Sequence, residues 1–102
     1  MNKAVTIVVP VYGDWPSLND CIESLKLHTD PAKVSVILAN DRGPEWQLIE
    51  DNIKASIKGY DNFTYVLNPE NLGFIGNCNR AVLETDHTKN DILLLNSDTK
   101  VT

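Results

Sequence analysis

The chain has 102 residues, 42% of them hydrophobic and 23% charged, with a formal net charge of −5. That is one domain at most, with the composition of a globular rather than a disordered protein. The acidic balance, with no basic stripe, argues against nucleic acid as a partner. No apolar run approaches the roughly 18 residues needed to cross a bilayer, and the N-terminus carries no signal-peptide pattern, so a cytoplasmic location is the default expectation.

Strand and helix alternate regularly along the sequence. Ala4 to Val9, rich in β-branched residues, predicts a first strand. Asp14 can cap a helix running to about Leu27, with Leu18, Cys21, Ile22 and Leu25 on one face. Val34 to Ala39 reads as a second strand, and Pro44 as the start of a second helix whose Trp46, Ile49, Ile53 and Ile57 share a core face. Phe63 to Leu67 is a third strand. Gly73 or Phe74 opens a third helix, with Ile75, Cys78 and Val82 expected inward. Asp91 to Asn96 is a fourth strand; its uninterrupted Ile92-Leu93-Leu94-Leu95 suits a strand covered on both faces.

This alternation predicts an α/β fold, a Rossmann-like parallel sheet with helices on both faces. With right-handed crossovers, two helices on one face and the third on the other, the strand order is 3-2-1-4. The order reverses between strands one and four, and a crevice opens there at their carboxyl ends. Pro10-Val11-Tyr12, Asn40-Asp41 and Asn96-Ser97-Asp98 all converge on it. The same layout places Cys21 and Cys78 on opposite faces and predicts no disulfide between them.

Asn96 and Asp98 offer an amide oxygen and a carboxylate, donors that suit Mg²⁺ or Mn²⁺; the same Asn-Ser-Asp-Thr run is also an ordinary turn or capping sequence. Strand one is followed by Pro10-Val11-Tyr12-Gly13-Asp14, without a glycine-rich phosphate loop of either common type. Two like charges about 4 Å apart repel by about 4 kcal/mol at an effective dielectric near 20, so a diphosphate beside Asp98 needs a divalent cation. A missing phosphate loop therefore strengthens the metal reading.

Four segments in order resemble the amino-terminal part of the family-2 glycosyltransferases with the GT-A fold. They are Val5-Thr6-Ile7-Val8-Val9-Pro10-Val11-Tyr12, Asn40-Asp41, Asn71-Leu72-Gly73-Phe74 with Gly76 and Asn79-Arg80-Ala81-Val82, and Leu93-Leu94-Leu95-Asn96-Ser97-Asp98-Thr99. The third segment is most similar to branches that build bacterial surface polysaccharides, including rhamnosyltransferase-like members. The resemblance implies that residues 1–102 form the donor nucleotide-binding half of a truncated GT-A domain. It implies a nucleotide-diphosphate sugar as partner, carrying uracil or thymine.

By this resemblance Pro10, Val11 and Tyr12 form the wall against which the base packs, and Asp41 accepts a hydrogen bond from the pyrimidine ring. Asp98 corresponds to the last acid of the family's Asp-x-Asp motif, with Asn96 replacing the first; together they are the implied metal ligands. Gly73 and Gly76 let the third helix approach the ligand, Asn77 or Cys78 lies near the base, and Ser97 joins the nucleotide site. The loop Arg42-Gly43-Pro44 departs from the glycine and serine usual there. Asp41 also fits a plain turn or helix-capping role.

The implied reaction is sugar transfer from a nucleotide donor to an acceptor hydroxyl with inversion at the anomeric carbon. The family's general base and acceptor region belong to a later segment, so this chain alone is expected to be inactive. In the complete enzyme a position at the inner face of the membrane is expected. Strand four, lacking later strands, is predicted to be an exposed apolar edge that drives self-association. Two alternatives stand beside this reading. One is a noncatalytic interaction module. The other is a receiver-like domain, which would need an acidic pair where Pro10-Val11 stands and an aspartate in place of Asn68-Pro69.

Overall fold

A computed structural model describes residues 5–81 and 91–95. Among them the elements run β1 (Val5–Val11), α1 (Trp15–His28), β2 (Val34–Asn40), α2 (Trp46–Ser56), β3 (Phe63–Leu67), α3 (Gly73–Arg80) and β4 (Asp91–Leu94). The four strands form one all-parallel sheet in the order β3-β2-β1-β4, as the crossover argument predicts.

β1 is central. It pairs with β2 from Val5↔Val34 to Val11↔Asn40 and with β4 from Val5↔Asp91 to Val8↔Leu94. The strand continues past Pro10, two residues beyond its expected end at Val9. Proline lacks the N–H that a doubly paired strand requires. Pro10 lies past Val8, the last β1 residue paired with β4, so no ladder position is lost on that side.

Alternation along the strands sorts the core into two layers. Ile7, Val9 and Val11 of β1, with Val36 and Leu38 of β2, pack against Leu18, Cys21, Ile22 and Leu25 of α1 and Ile49 and Ile53 of α2. On the other face, Val8, Ile37 and Ala39 pack with Ala81 at the end of α3. Cys21 and Cys78 are both buried and free, as expected.

α1 starts where the sequence indicates. Asp14 is its N-cap and accepts from Ser17 N at 3.4 Å, and Pro16 stands in the first turn, where a missing N–H costs nothing. α2 begins at Trp46 rather than Pro44, because Glu45 takes a left-handed conformation, φ 58°, as its N-cap. Trp46 is only half-buried; Ile49 and Ile53 form that helix's core contact.

Two expectations about burial are corrected. Ile75 faces outward, 74% exposed, and Asn77 and Cys78 take the inward face of α3. β4 is not enclosed among the described residues: Ile92, Leu93 and Leu94 are 38%, 50% and 49% exposed, because the strand pairs with β1 along one edge only. Val82, expected inward on α3, lies outside the described residues.

Candidate functional site

Parallel strands deliver all three strand-to-helix loops to one end of the sheet, and the backbone there is unusual. Gly13 and Asp14 follow β1, Arg42 and Glu45 follow β2, and Gly73 follows β3; all five have positive φ, between 55° and 76°. Non-glycine residues rarely adopt that conformation and cluster at functional loops when they do. Gly73 is required for its φ of +76°, and a Cβ there would meet nothing within 4 Å; at Gly76 a Cβ would stand 3.0 Å from Leu72 Cβ.

The loops after β1 and β2 pack on each other. Asp41 N donates to Val11 O at 3.0 Å, continuing the strand pairing by one residue. Gly43 lies directly beneath the Tyr12 ring, so that a Cβ on it would come within 2.6 Å of Tyr12 Cδ1. Tyr12 itself is 60% exposed and spreads over this end of the sheet. Pro10 and Val11 are buried, Val11 in the core beside α1 and α2. Of the Pro10-Val11-Tyr12 segment, Tyr12 alone offers an exposed surface.

Asp41 is buried, and its carboxylate is held asymmetrically. Oδ1 accepts from Asn68 Nδ2 and from Leu72 N, both at 2.8 Å. Oδ2 receives no hydrogen bond among the described residues. No buried side-chain polar atom among the described residues lacks a partner, so Oδ2 reaches the surface. The result is a carboxylate with one oxygen fixed and the other free to accept, in the loop that packs against Tyr12.

Behind Asp41 lies a polar layer that the sequence reading did not find. Asn68, buried at the end of β3, donates from Nδ2 to Asn77 Oδ1 at 2.7 Å as well as to Asp41, and its Oδ1 accepts from Arg80 Nη1 at 2.8 Å. Arg42 Nε donates to Asn68 O at 2.6 Å while its guanidinium lies 4.4 Å from the centre of the Trp46 ring. Asn77, buried on α3, donates to Ala39 O at 2.9 Å and ties the helix to β2. Asn40 donates to Trp46 O and to the Tyr65 hydroxyl, both at 3.1 Å, and Tyr65 in turn donates to Glu50 Oε2 at 2.7 Å. A signal for this layer exists in the sequence: asparagines end both β2 and the segment after β3, where apolar strands meet loops.

Electrostatics follow from burial. Both arginines bond to Asn68 rather than to the Asp41 carboxylate. Cys78 lies within the field of Asp41, and burial first, then that negative charge, raise its thiol pKa above the ordinary value. Tyr65 is also raised, chiefly by burial and then by its hydrogen bond to Glu50.

The structure therefore brings Tyr12, Asp41 and Asn77 to one end of the sheet, with Gly73 opening the adjacent helix. Asn71 shapes that opening by accepting from Gly73 N at 3.0 Å. Asn96, Ser97 and Asp98 lie outside the described residues. β4 nevertheless aims its carboxyl end the same way as β1, and Leu95 N donates to Val8 O at 2.9 Å. Among the described residues no three His, Cys, Asp or Glu side chains gather as a metal cluster.

A parallel sheet of order 3-2-1-4 with polar groups at its carboxyl ends defines an α/β protein with a topological switch point between β1 and β4, the place where open sheets of this kind bind ligands. The chain belongs to glycosyl transferase family 2, which it matches over residues 6–102. No curated protein matches it by sequence. Among solved structures it is similar to the mannosyltransferase PcManGT from Pyrobaculum calidifontis in complex with GDP-Man and Mn²⁺, with a TM-score of 0.79 and 16% identity over 96% of this chain. It is also similar to S. aureus TarS 1–349 in complex with UDP-GlcNAc, with a TM-score of 0.74 and 18% identity over 93% of the chain. Such likenesses establish a GT-A glycosyltransferase fold. The chain spans 28% and 26% of those two chains. No helix among the described residues is long and apolar enough to cross a membrane.

Proposed function

We propose that this chain provides the donor-binding part of an inverting glycosyltransferase that moves a sugar from a UDP- or dTDP-sugar to an acceptor hydroxyl in bacterial surface polysaccharide synthesis. The observation that carries the reading is Asp41. One carboxylate oxygen is clamped by Asn68 and Leu72 N, and the other is left as an acceptor beside the exposed Tyr12 ring. An N–H on a pyrimidine ring satisfies that acceptor, and the Tyr12 ring offers a surface for the base to stack on. Family membership and neighbours solved with GDP-Man and UDP-GlcNAc support a nucleotide sugar as the ligand class. A cytoplasmic site of action is in keeping with such a donor.

Asp98 and Asn96 are the residues that would hold Mg²⁺ or Mn²⁺. Their donor set fits, an amide oxygen and a carboxylate on the segment that follows β4 in sequence. When bound, the ion would supply charge neutralisation of the departing diphosphate. Ser97 and Gly73 complete the proposed nucleotide contacts, and Asn77 acts from below by fixing α3 to β2.

Calorimetric titration of the chain with UDP and dTDP, with and without Mn²⁺, tests the reading. Metal-dependent binding that Asp98→Ala abolishes is expected; a folded chain that binds neither nucleotide overturns it. A second reading, a noncatalytic chain that associates with itself through β4, is favoured by the exposed Ile92, Leu93 and Leu94. Light scattering that reports a monomer at high concentration refutes it.

A further inference from the structure

We infer that Asn40 is a positioning residue for the donor base: it clasps both flanks of the loop after β2 and thereby holds the Gly43 seat on which the Tyr12 ring lies, so that the stacking surface is set before any ligand arrives. The inference rests on the donor-nucleotide reading above and adds to it a residue that acts through Tyr12 rather than on the ligand.

Asn40 ends β2 with 1% of its surface exposed, and a buried amide of this kind needs its hydrogen bonds made. Its Oδ1 accepts from Arg42 N at 3.0 Å, and its Nδ2 donates to Trp46 O at 3.1 Å. These two contacts grip the loop at both ends. The other Nδ2 proton goes to the Tyr65 hydroxyl at 3.1 Å. A flipped amide would set its NH₂ against the Arg42 N–H and its oxygen against the Trp46 carbonyl, so the orientation is fixed without help from Tyr65.

The residues between the grips show what they hold. Arg42 and Glu45 both have a φ of 58°, a conformation that non-glycine residues keep only where surrounding contacts impose it. Gly43, between them, passes so close beneath Tyr12 that a Cβ would stand 2.6 Å from the ring. The bond from Trp46 N to Gly43 O, at 3.2 Å, closes this turn on itself without attaching it to the sheet. Asn40 supplies the attachment to β2, beside the one that Arg42 Nε makes to Asn68 O. Asp41, by contrast, is held by Asn68, by Leu72 N and through its own N–H to Val11 O, and none of these bonds passes through the Asn40 side chain. Loss of that side chain therefore frees the seat of Tyr12 and spares the Asp41 carboxylate.

The test is a double-mutant cycle on UDP affinity, measured by calorimetry with Mn²⁺ in the full chain, with folding of each variant checked by thermal unfolding. Asn40→Ala should weaken UDP binding by about tenfold, toward the lower end of what stacking on an aromatic ring contributes for one base. In a Tyr12→Ala background the same change should weaken it by less than about twofold, because the surface that Asn40 positions is already gone. Tyr65→Phe removes one hydrogen bond of Asn40 but leaves both grips, and should stay within about twofold of the wild type in affinity despite its lower stability. A merely structural Asn40 lowers the unfolding temperature and leaves the affinity of the folded chain alone, which overturns the inference. An equal loss with and without the Tyr12 ring also overturns it, as does a loss in Tyr65→Phe as large as that in Asn40→Ala. Should Asn40→Ala not fold, hydrogen exchange in the wild-type chain decides: the Arg42 N–H should be protected before UDP is added, and free exchange there until UDP binds overturns the inference. Each of these overturning results leaves the donor site standing, whereas a folded wild-type chain that does not bind UDP removes the donor reading and this inference with it.

Discussion

Adding one methyl group at Gly43 tests whether the Tyr12 ring is seated where the two loops meet. Gly43 lacks a left-handed φ, so alanine brings no backbone strain of its own. The difficulty is space. A Cβ would lie 2.6, 2.8 and 2.9 Å from Tyr12 Cδ1, Cγ and Cε1, where ordinary carbon contacts are about 3.5–4.0 Å. The ring must move by about 1 Å or swing away. Tyr12 is 60% exposed, so swinging away forfeits the covered remainder. For a tyrosine of about 200 Å², that remainder is about 80 Å², and its loss costs at most about 2 kcal/mol. Gly43→Ala should therefore lower stability in urea unfolding by about 1–2 kcal/mol and weaken UDP binding as the stacking surface leaves. In a Tyr12→Ala background the same substitution should cost less than about 0.5 kcal/mol, since nothing remains to collide with. An equal cost in both backgrounds refutes the reasoning, because the strain would then lie in the loop and not in the ring.

The raised Cys78 thiol has two causes, and Asp41→Asn removes one. In a Cys21→Ala background the pH profile of Cys78 alkylation should move to lower pH while burial still holds it above that of a free thiol; an unmoved profile would mean that the Asp41 charge does not reach it. For Tyr65, whose ordinary value is 10.0, the folded-state pKa is raised, so its contribution to stability is complete below about pH 10 and declines as rising pH ionises the unfolded chain first. Tyr65→Phe should lose about 1–2 kcal/mol at pH 8 with its bond to Glu50, and the deficit should shrink in urea midpoints taken toward pH 11; a constant deficit would contradict the assignment.

Sheet order was legible because each strand is a short β-branched or aliphatic run and each helix but the last carries a clean apolar stripe. α3 was misread for a physical reason. Counting apolar residues puts Ile75 inward, yet that helix docks through Asn77, whose bonds to Ala39 O and Asn68 outweigh the burial of one isoleucine. A buried asparagine looks the same in sequence as an exposed one, and only its partners distinguish them. Asn68 entered the sequence argument merely as the wrong residue for a receiver domain. Its partners come from β2, α3 and the loop after β2, separations that no local pattern reports. The position of Asp41 at the carboxyl end of β2 was legible; the unequal hold on its two oxygens was not. The start of α2 moved from Pro44 to Trp46 because Glu45 adopts a left-handed turn that its side chain gives no reason to expect.

The pairing of Val5 with Asp91 also orders events in time. β1, β2 and β3 with α1 and α2 lie in the first two-thirds of the chain and can assemble as it emerges from the ribosome, N-terminal segments first. β4 must close the longest loop in the sheet before it finds β1, a step slowed by the chain entropy of that closure. Until then the central strand keeps one side open, with Ile7 and Val8 unpaired along it. The half-made sheet is thus most vulnerable to mispairing with other chains at the edge that later becomes the topological switch point, and that point is completed last.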